Sequence, residues 1–291
     1  MFFENNVFPI TFSIPEEKML HSIPKKTKLL SSLIPGDSNT YIYNTEKEYY
    51  EEYQKSCFAM TTKKAGWDCM RHYEIVANGC LPYFPNLEQC PLFTMYMLPK
   101  PLMFRSNQLY ERMKKDCSDN KDYLHLLIDM MAYFKEHLTT TVVSRSILQK
   151  TGFNLVKKVL FLSGCILPDY LSCLTLHGLK QGLGSDCHDY PKVPYLYKDY
   201  TGVSLYGNGF TYSKLLVPSL RNDTYDLSII EDIQQHQYDI VMYGSYHRGM
   251  PFYDIVCKHY SMDRIILLCG EDLHYCDSSF IKGHPVFVRE L

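Results

Sequence analysis

Residues 157–164 read KKVLFLSG, and this stretch indicates the fold. An unbroken apolar run over 159–162, ended by Gly164, is typical of a strand that is buried on both faces of a parallel sheet. Residues 170–184, YLSCLTLHGLKQGLG, have the apolar spacing of a helix that Asp169 can cap at its start. A buried strand followed by a helix is the repeating unit of a parallel α/β sheet.

The same alternation continues to the end of the sequence. Residues 226–237 predict a helix before the strand YDIVMYG (238–244), and residues 251–260 predict one before the strand RIILLCG (264–270). Strands that are joined through helices pair in parallel with crossover connections. We therefore predict an α/β protein in which residues 153–291 form a Rossmann-like, doubly wound domain.

Residues 1–152 have a different pattern and predict a second domain. Residues 8–37 are rich in proline and predict mostly loop, whereas residues 40–56 predict a short strand followed by a helix. CFAMTT (57–62) predicts a buried strand, and residues 101–117 and 120–138 have helical apolar spacing. The second of these helices is predicted to bury one apolar face, formed by Leu124, Leu127, Ile128 and Met131.

Residues 63–84, KKAGWDCMRHYEIVANGCLPYF, predict a strand–glycine–helix turn with an unusual concentration of charge. Gly66 permits the turn, Asp68 is a candidate helix N-cap, and Asn78-Gly79 ends the helix. Arg71 and Glu74 then lie one helical turn apart on a polar stripe. An isolated pair of this kind is usually a surface salt bridge of little energetic value.

The surroundings of this pair favour a nucleotide-sugar site over a surface salt bridge. Lys63 and Lys64 precede a helix start, where backbone amides and the helix dipole favour an anion such as a diphosphate. The two oxygens of Glu74 match the vicinal hydroxyls of a ribose. The sequence contains no GxGxxG fingerprint, Walker lysine loop or Asp-x-Asp pair that would indicate a dehydrogenase, an NTPase or a metal-dependent sugar transferase.

Polar side chains follow three of the predicted strands, in the segments 163–169, 243–249 and 269–274. Ligands of open parallel sheets bind outside the carboxyl ends of the strands, so these side chains are predicted to line one rim. A single aspartate at such a position is more often a helix cap than a catalyst, but three loops of the same kind favour a site. The rim residues are Asp169, His247, Arg248, Glu271, Asp272 and His274.

Composition narrows the class of protein. The net charge of −2 argues against a broad nucleic-acid-binding surface, and 25 tyrosines suit surfaces that stack on sugars and nucleotides, although many are expected in the core. The 11 cysteines include no Cys-x-x-Cys pair and predict buried thiols in a reducing compartment. With no basic-then-apolar leader and no apolar run of about 18 residues, we predict a cytoplasmic protein without a membrane partner.

Residues 56–84 resemble the donor-side signature of exostosin-like glycosyltransferases, in which a strand and a glycine precede Arg, Glu and a Gly-Cys-x-Pro strand. GWDCMRHYEI (66–75) is the most specific part of this resemblance, which covers most of the chain. The other stretches that resemble the family are 8–18, 40–50, 169–184, 188–197, 205–213 and 268–274. The resemblance implies a GT-B arrangement of two Rossmann-like domains facing a cleft, with a donor domain at 1–152 and an acceptor domain at 153–291.

The order of the two halves is reversed relative to that family, so the resemblance implies a circular permutation. HPVFVREL (284–291) is similar to what precedes FPITFSIPEE (8–17) in such enzymes, and Leu291 and Met1 are therefore predicted to be neighbours. The permuted order resembles glycosyltransferases of large algal viruses that decorate their own capsid protein. That resemblance implies transfer of a pentose, with UDP-xylose as the donor.

The predicted function is transfer of a sugar from a nucleotide sugar, with UDP as the expected nucleotide, to a glycan or glycoprotein hydroxyl with inversion. Asp169 is the first candidate for the general base, followed by Asp272 and His247. No metal is expected, because cations can neutralise the leaving diphosphate. The alternative is a non-catalytic carbohydrate- or nucleotide-binding module. The candidate residues for donor binding are Lys63, Lys64, Gly66, Trp67, Asp68, Arg71, Glu74 and Gly79, with Arg248 and Glu271 orienting the substrate or bridging the domains.

Overall fold

The computed structural model describes residues 6–116, 120–165, 167–202, 205–272 and 283–291. It is an α/β structure with two parallel sheets, one of six strands and one of three. The strands are β1 (Val7–Pro9), β2 (Lys28–Leu30), β3 (Ser56–Met60), β4 (Leu81–Tyr83), β5 (Val159–Leu162), β6 (Cys187–Tyr190), β7 (Ile240–Tyr243), β8 (Ile265–Cys269) and β9 (Val286–Val288). The α-helices are α1 (Glu46–Lys55), α2 (Met70–Ala77), α3 (Lys100–Met113), α4 (Asn120–His137), α5 (Thr140–Lys150), α6 (Tyr170–Leu183), α7 (Ile229–Gln234) and α8 (Tyr253–His259).

The larger sheet has the strand order β1-β9-β8-β7-β5-β6, and every neighbouring pair is parallel. Its central strands β5, β7 and β8 are buried along their whole length. Alternate residues of β5 enter different core clusters: Phe161 belongs to the cluster that contains α5 and α6, and Leu160 to the one that contains α7 and α8. The sheet is therefore the middle of three layers, which is compatible with a Rossmann-like fold.

The smaller sheet has the order β2-β3-β4 and is also parallel. One of its core clusters is rich in tyrosine and contains Tyr49, Tyr50 and Tyr53 of α1 together with Ala59 of β3. Phe58 of β3 belongs instead to the large cluster that includes residues of α2, α3 and α4. Helix α1 begins with a capping box, in which Thr45 and Glu48 bond each other's backbone amides.

The sequence predicted the strands β3, β4, β5, β7 and β8 correctly, as well as the parallel pairing of the last three. The edge of the larger sheet, however, comes from the other end of the sequence, since Val7 of β1 pairs with Val286 of β9. Helix α5 also packs against α6. Two elements on the amino-terminal side of the predicted boundary at 152/153 thus contact the elements of the larger sheet. Met1 lies outside the described residues, so its predicted proximity to Leu291 stays a prediction.

The predicted buried face of α4 is wrong in part. Leu127 is buried, but Leu124 and Ile128 are 43% and 51% exposed. The helix rotates so that Tyr123 enters the core, where its ring meets Phe58 edge-on and its hydroxyl donates to a backbone carbonyl of β3. Apolar residues on α4 form two overlapping stripes, and this tertiary contact selects between them. The strand expected near residues 41–44 is also absent from the described structure, where an irregular segment precedes α1.

Within the ranges described above, no helix combines the length and the apolar character that a membrane crossing requires.

Candidate functional site

A cleft of about 750 Å³ opens at the carboxyl ends of strands from both sheets. From the smaller sheet it is lined by residues that follow β2 and β3, and from the larger sheet by residues that follow β5, β7 and β8. Parallel strands place their carboxyl ends at one edge, which explains why the residues from each sheet lie together on their own side of the cleft. The predicted residues that line the cleft are Lys64, Gly66, Asp68, Arg71, Glu74, Asp169, Arg248, Glu271 and Asp272.

The strand order of the larger sheet places the cleft at a topological switch point. The chain runs from β5 outward to β6 on one side and then returns to β7 on the other. The loops after β5 and β7 diverge at such a point and leave a crevice, which is the usual ligand site of doubly wound sheets. Asp169 and Arg248 lie on these two loops, as the sequence predicted.

Arg71 is a buried cation of the cleft that does not use all of its hydrogen-bond donors within the described structure. Its side chain is 8% exposed, and its Nε and Nη1 atoms are buried without a hydrogen-bond partner among the described residues. Arg71 and Glu74 do not form the surface salt bridge that was the alternative interpretation of this pair, since the described structure has Glu74 buried with Tyr49 and Thr211 as its partners. A buried guanidinium with unused donors is costly, so a shift of Arg71 that brings these donors to an anionic ligand in the cleft would relieve that cost.

Glu74 is buried on the same helix and accepts one hydroxyl at each of its oxygens. Tyr49 donates to Oε2 at 2.8 Å, and Thr211 donates to Oε1 at 2.5 Å. Burial raises the pKa of Glu74, although these two hydroxyls and nearby Arg71 act in the opposite direction. The carboxylate is thus placed to hold a pair of hydroxyl groups.

Aromatic rings form much of the wall. Tyr49 stacks on Phe210 with ring centroids 5.5 Å apart, and Tyr170 meets Phe12 edge-on at 5.7 Å. Tyr206 is 70% exposed, so one of its faces is available to a ligand. Such rings favour flat or partly apolar ligands such as nucleobases and sugars. Five tyrosines and two phenylalanines line the cleft: Tyr41, Tyr43, Tyr49, Tyr170, Tyr206, Phe12 and Phe210.

Asp169 has both of the roles that the sequence left open, since it caps α6 and lines the cleft. Its Oδ1 atom accepts the amide of Ser172 at 3.0 Å, and its Oδ2 atom accepts the hydroxyl of Ser245. The side chain is 7% exposed. A carboxylate that is fixed in this way has a defined direction and fewer lone pairs free for a further hydrogen-bond donor.

Asp169, His247 and Glu271 bring ligand atoms within 4.8 Å of one another, a grouping that can hold a metal ion. Arg248 already supplies positive charge there: its Nε donates to Glu271 at 2.8 Å, and its Nη2 lies 4.0 Å from Asp169. Burial tends to raise the pKa of Glu271, but the hydrogen bonds from His247 and Arg248 outweigh it and lower the pKa. The Arg248 guanidinium thus offsets the negative charge of both carboxylates.

Two buried charges at the end of β9, Arg289 and Glu290, were not predicted from the sequence. The Glu290 carboxylate accepts the backbone amides of Trp67 and Asp68, both at 3.0 Å. These amides belong to the turn that was predicted to bind a diphosphate. In this arrangement they already bind a carboxylate, so the cations of the cleft are the available anion ligands.

Arg289 joins the two walls of the cleft. It is fully buried and donates to the carbonyl of Gly270 at 3.0 Å, to the carbonyl of Asp68 and to the side chains of Asp272 and Glu290. We call Arg289, Glu290, Asp68 and Asp272 the clasp. A Cβ atom on Gly66 would lie 2.7 Å from a Glu290 oxygen, so a larger residue there would have to displace the side chains of the clasp. No signal in VFVREL indicates this burial, because the partners are remote in sequence.

The prediction that Asp68 caps α2 is wrong. The helix N-cap is Cys69, whereas the Asp68 carboxylate accepts the amide of Phe12 at 2.8 Å and the hydroxyl of Tyr73 at 3.0 Å. The chain packs Asp68 inward because these two donors lie beneath the turn. Burial raises the pKa of Asp68 to about 6, although Arg289 and the Phe12 amide act against the rise.

Replacing Asp68 with asparagine is expected to stabilise the protein at neutral pH but not at acidic pH. A carboxyl group whose pKa rises to about 6 on folding favours the folded state fully only below its ordinary pKa of about 4, and this contribution is lost as the pH rises through 6. Asparagine can accept from Phe12 and donate to Tyr73 without a charge. Its advantage in free energy of unfolding should grow by about 1–3 kcal/mol between pH 4.5 and pH 7.5 in urea titrations.

Exposed Asp263 provides the matched control for this measurement. Asp263→Asn should change the free energy of unfolding little at either pH. Equal effects of the two substitutions across this range would contradict a buried, ionised Asp68.

Four other predicted residues of the described part of the chain lie apart from the lining of the cleft. Trp67 is buried against Phe84, and Lys63 lies 5.4 Å above the Trp67 ring. Gly79 ends α2 with a φ of +65°, which a glycine adopts freely. His247 lies behind the wall, 2.7 Å from Glu271, with its Nδ1 buried and unpartnered among the described residues. His274 lies outside the described residues.

No protein-family model, curated protein or solved structure matches the chain in the comparisons with known proteins.

Proposed function

We propose that the chain is a glycosyltransferase that moves a sugar from a nucleotide-sugar donor to a hydroxyl of a glycan, across a cleft between two Rossmann-like domains. The observation that carries the proposal is the arrangement around Arg71. A buried guanidinium, two of whose donors have no partner among the described residues, lies beside a carboxylate that holds two hydroxyls, and both line a cleft that also contains Asp169 and Glu271.

The donor would be bound along α2 and the rings near it. The diphosphate would accept from Arg71, with Lys64 on the exposed edge of the same cleft. Glu74 would accept the ribose hydroxyls, and the exposed ring of Tyr206 offers a stacking surface. Charge that develops on the leaving diphosphate would then be stabilised by fixed cations, without a metal.

The acceptor would enter from the side of the larger sheet. Asp169 is the proposed general base, because its loop lies at the switch point and its carboxylate faces the cleft. Arg248 and Glu271, which are held together by a hydrogen bond of 2.8 Å, would orient the sugar hydroxyls. Asp272 is a weaker candidate for the base than the sequence suggested, since Arg289 pairs with it.

The finer parts of the proposal depend on the resemblance to exostosin-like glycosyltransferases. These are a GT-B arrangement in permuted order, an inverting transfer, a UDP-linked donor such as UDP-xylose, and a glycoprotein acceptor of a virus in the host cytoplasm. The parallel sheets and the shared cleft are compatible with these features.

The proposal is tested by incubating the protein with UDP-, GDP- and dTDP-sugars. Thermal shifts would identify the donor that binds, and slow release of free sugar would then be followed by mass spectrometry. One nucleotide series should raise the melting temperature, and its sugar should be hydrolysed in the presence of the protein. If no nucleotide sugar shifts the melting temperature at millimolar concentration, the proposal is wrong.

Asp169→Asn should reduce sugar transfer and donor hydrolysis by about 10²- to 10⁴-fold, which is the usual contribution of a general base. Asparagine retains the oxygen that caps α6, so the fold should be preserved. The measurement is kcat, with the donor KM as an internal control that should change little. Normal turnover in this variant would exclude Asp169 as the base.

A non-catalytic binding module is the second candidate, and one observation favours it. Both oxygens of Asp169 already accept protein donors, from Ser172 and Ser245, as expected of a purely structural cap. A module of this kind would bind a nucleotide sugar without hydrolysing it. The same incubation separates the two candidates, because only the enzyme releases sugar.

A further inference from the structure

We propose that Thr211 competes with the nucleotide for Glu74 and thereby sets the affinity of the cleft for ribose. The hydroxyl of Thr211 holds a position on the Glu74 carboxylate that one ribose hydroxyl takes when a nucleotide binds. This inference rests on the proposed function, since it requires a nucleotide at Glu74. Thr211 would then affect donor binding indirectly, through the carboxylate of Glu74.

Thr211 belongs to the segment 205–213, which reaches from the larger sheet to helices α1 and α2. Its hydroxyl donates to Glu74 at 2.5 Å and is hydrogen-bonded to the hydroxyl of Tyr50 at 2.6 Å. Its amide donates to Glu46 at 2.6 Å. The segment also supplies Tyr206 and Phe210 to the cleft wall, so a change in its position changes the shape of the cleft.

The backbone at Thr211 is strained. Its φ of +71° lies in the left-handed region, which is strongly disfavoured for a β-branched residue. Gly207, Asn208 and Gly209 of the same segment also have positive φ, and these residue types adopt it more easily. Strained conformations persist where the surrounding contacts hold them, and they are concentrated at ligand clamps and switches. Here the contacts that hold Thr211 are its bonds to Glu74, Tyr50 and Glu46.

The hydroxyls of Tyr49 and Thr211 bind Glu74 as a vicinal diol would, but the two side chains are not equally free to move away. Tyr49 is buried within α1, is hydrogen-bonded to Tyr53 at 2.8 Å and is stacked on Phe210. Thr211 lies in irregular, strained backbone. A ribose hydroxyl that reaches Glu74 therefore displaces Thr211 more easily than Tyr49. Moving Thr211 away from Glu74 relieves its backbone strain, whereas moving Tyr49 away would break its contacts within α1.

This exchange limits the binding free energy that a ribose hydroxyl contributes, because it only replaces the Thr211 hydroxyl on the same oxygen of Glu74. Removing the Thr211 hydroxyl leaves Glu74 in need of a partner, so the ligand hydroxyl gains a full hydrogen bond. Thr211→Val keeps the size and branching of the side chain, and Thr211→Ser keeps the hydroxyl. Thr211→Gly, which also removes the strain, is a second variant should valine disturb folding.

The test uses uridine 5′-monophosphate and its 2′,3′-dideoxy analogue as probes, with dissociation constants from calorimetry for wild type and all three variants. In the valine and glycine variants, the preference for the ribose form over the dideoxy form should increase about tenfold relative to wild type. The serine variant should retain the wild-type preference.

Suppose that uridine 5′-monophosphate binds to wild type but the preference for the ribose form is unchanged in both the valine and the glycine variants. The proposed role of Thr211 is then wrong, while the proposed nucleotide site is not contradicted. If neither wild type nor any variant binds uridine 5′-monophosphate or the nucleotide sugars of the earlier screen, the nucleotide site itself is wrong and both proposals fall.

Discussion

Replacing Arg71 with methionine is expected to abolish nucleotide binding and, at the same time, to stabilise the folded protein. Two buried guanidinium nitrogens lack partners among the described residues, so the folded state bears the cost of removing them from water. Methionine is flexible and apolar, and it can fill the same space without that cost. Glu74 would stay satisfied by the hydroxyls of Tyr49 and Thr211.

The expected gain in free energy of unfolding is about 1–3 kcal/mol, measured by urea denaturation. The expected loss of affinity for the best nucleotide of the screen is at least about 100-fold, because two charge-assisted hydrogen bonds disappear. Arg71→Lys should give intermediate binding, since lysine keeps the charge without the forked geometry.

Arg112→Met is the matched control, because Arg112 is an exposed arginine whose partner is Asp122. This substitution should change neither the free energy of unfolding nor the affinity for the nucleotide appreciably. An Arg71→Met variant that is less stable than wild type and binds nucleotides normally would show that Arg71 has a structural role instead.

Replacing Arg289 with methionine should cause the largest loss of stability of any substitution considered, about 3–5 kcal/mol. Arg289 is fully buried, and it is the cation of the clasp, surrounded by Asp68, Asp272 and Glu290. Its removal would leave these carboxylates without their compensating charge. The turn at Gly66 would also lose the contacts that join it to the end of β8.

The double variant Arg289→Met/Glu290→Gln separates charge from packing in urea denaturation experiments. Because it also removes one of the uncompensated carboxylates, it should recover part of the lost free energy of unfolding. A double variant that is as unstable as the sum of the two single variants would show that packing around Arg289, and not the charge balance, explains the loss.

Local patterns were sufficient to predict much of the fold. The apolar runs of β5, β7 and β8 are buried strands, and Asp169 caps α6 as expected. A general property of parallel sheets predicted that Asp169, Arg248 and Glu271 lie at one edge, whereas their convergence with Arg71 and Glu74 in one cleft was implied only by the family resemblance.

Elements that depend on distant partners were missed. β6 has the sequence CHDY, which is polar, and it is buried because Asp189 pairs with Lys180 at 2.8 Å and His188 bonds to Tyr238 at 2.7 Å. The clasp and the contact between Thr211 and Glu74 are similar, since each joins segments far apart along the chain. The burial of these residues can be predicted only when the positions of both partners in the fold are known.

The pairing of β1 with β9 has a consequence for biosynthesis. Residues 7–9 are translated long before residues 286–288, so the edge of the larger sheet stays incomplete while most of the polypeptide leaves the ribosome. The smaller sheet needs only residues 28–83 and can assemble much earlier. Until β9 arrives, the backbone groups of β1 have no strand to pair with, and chaperones that shield such segments are expected to matter most during this interval.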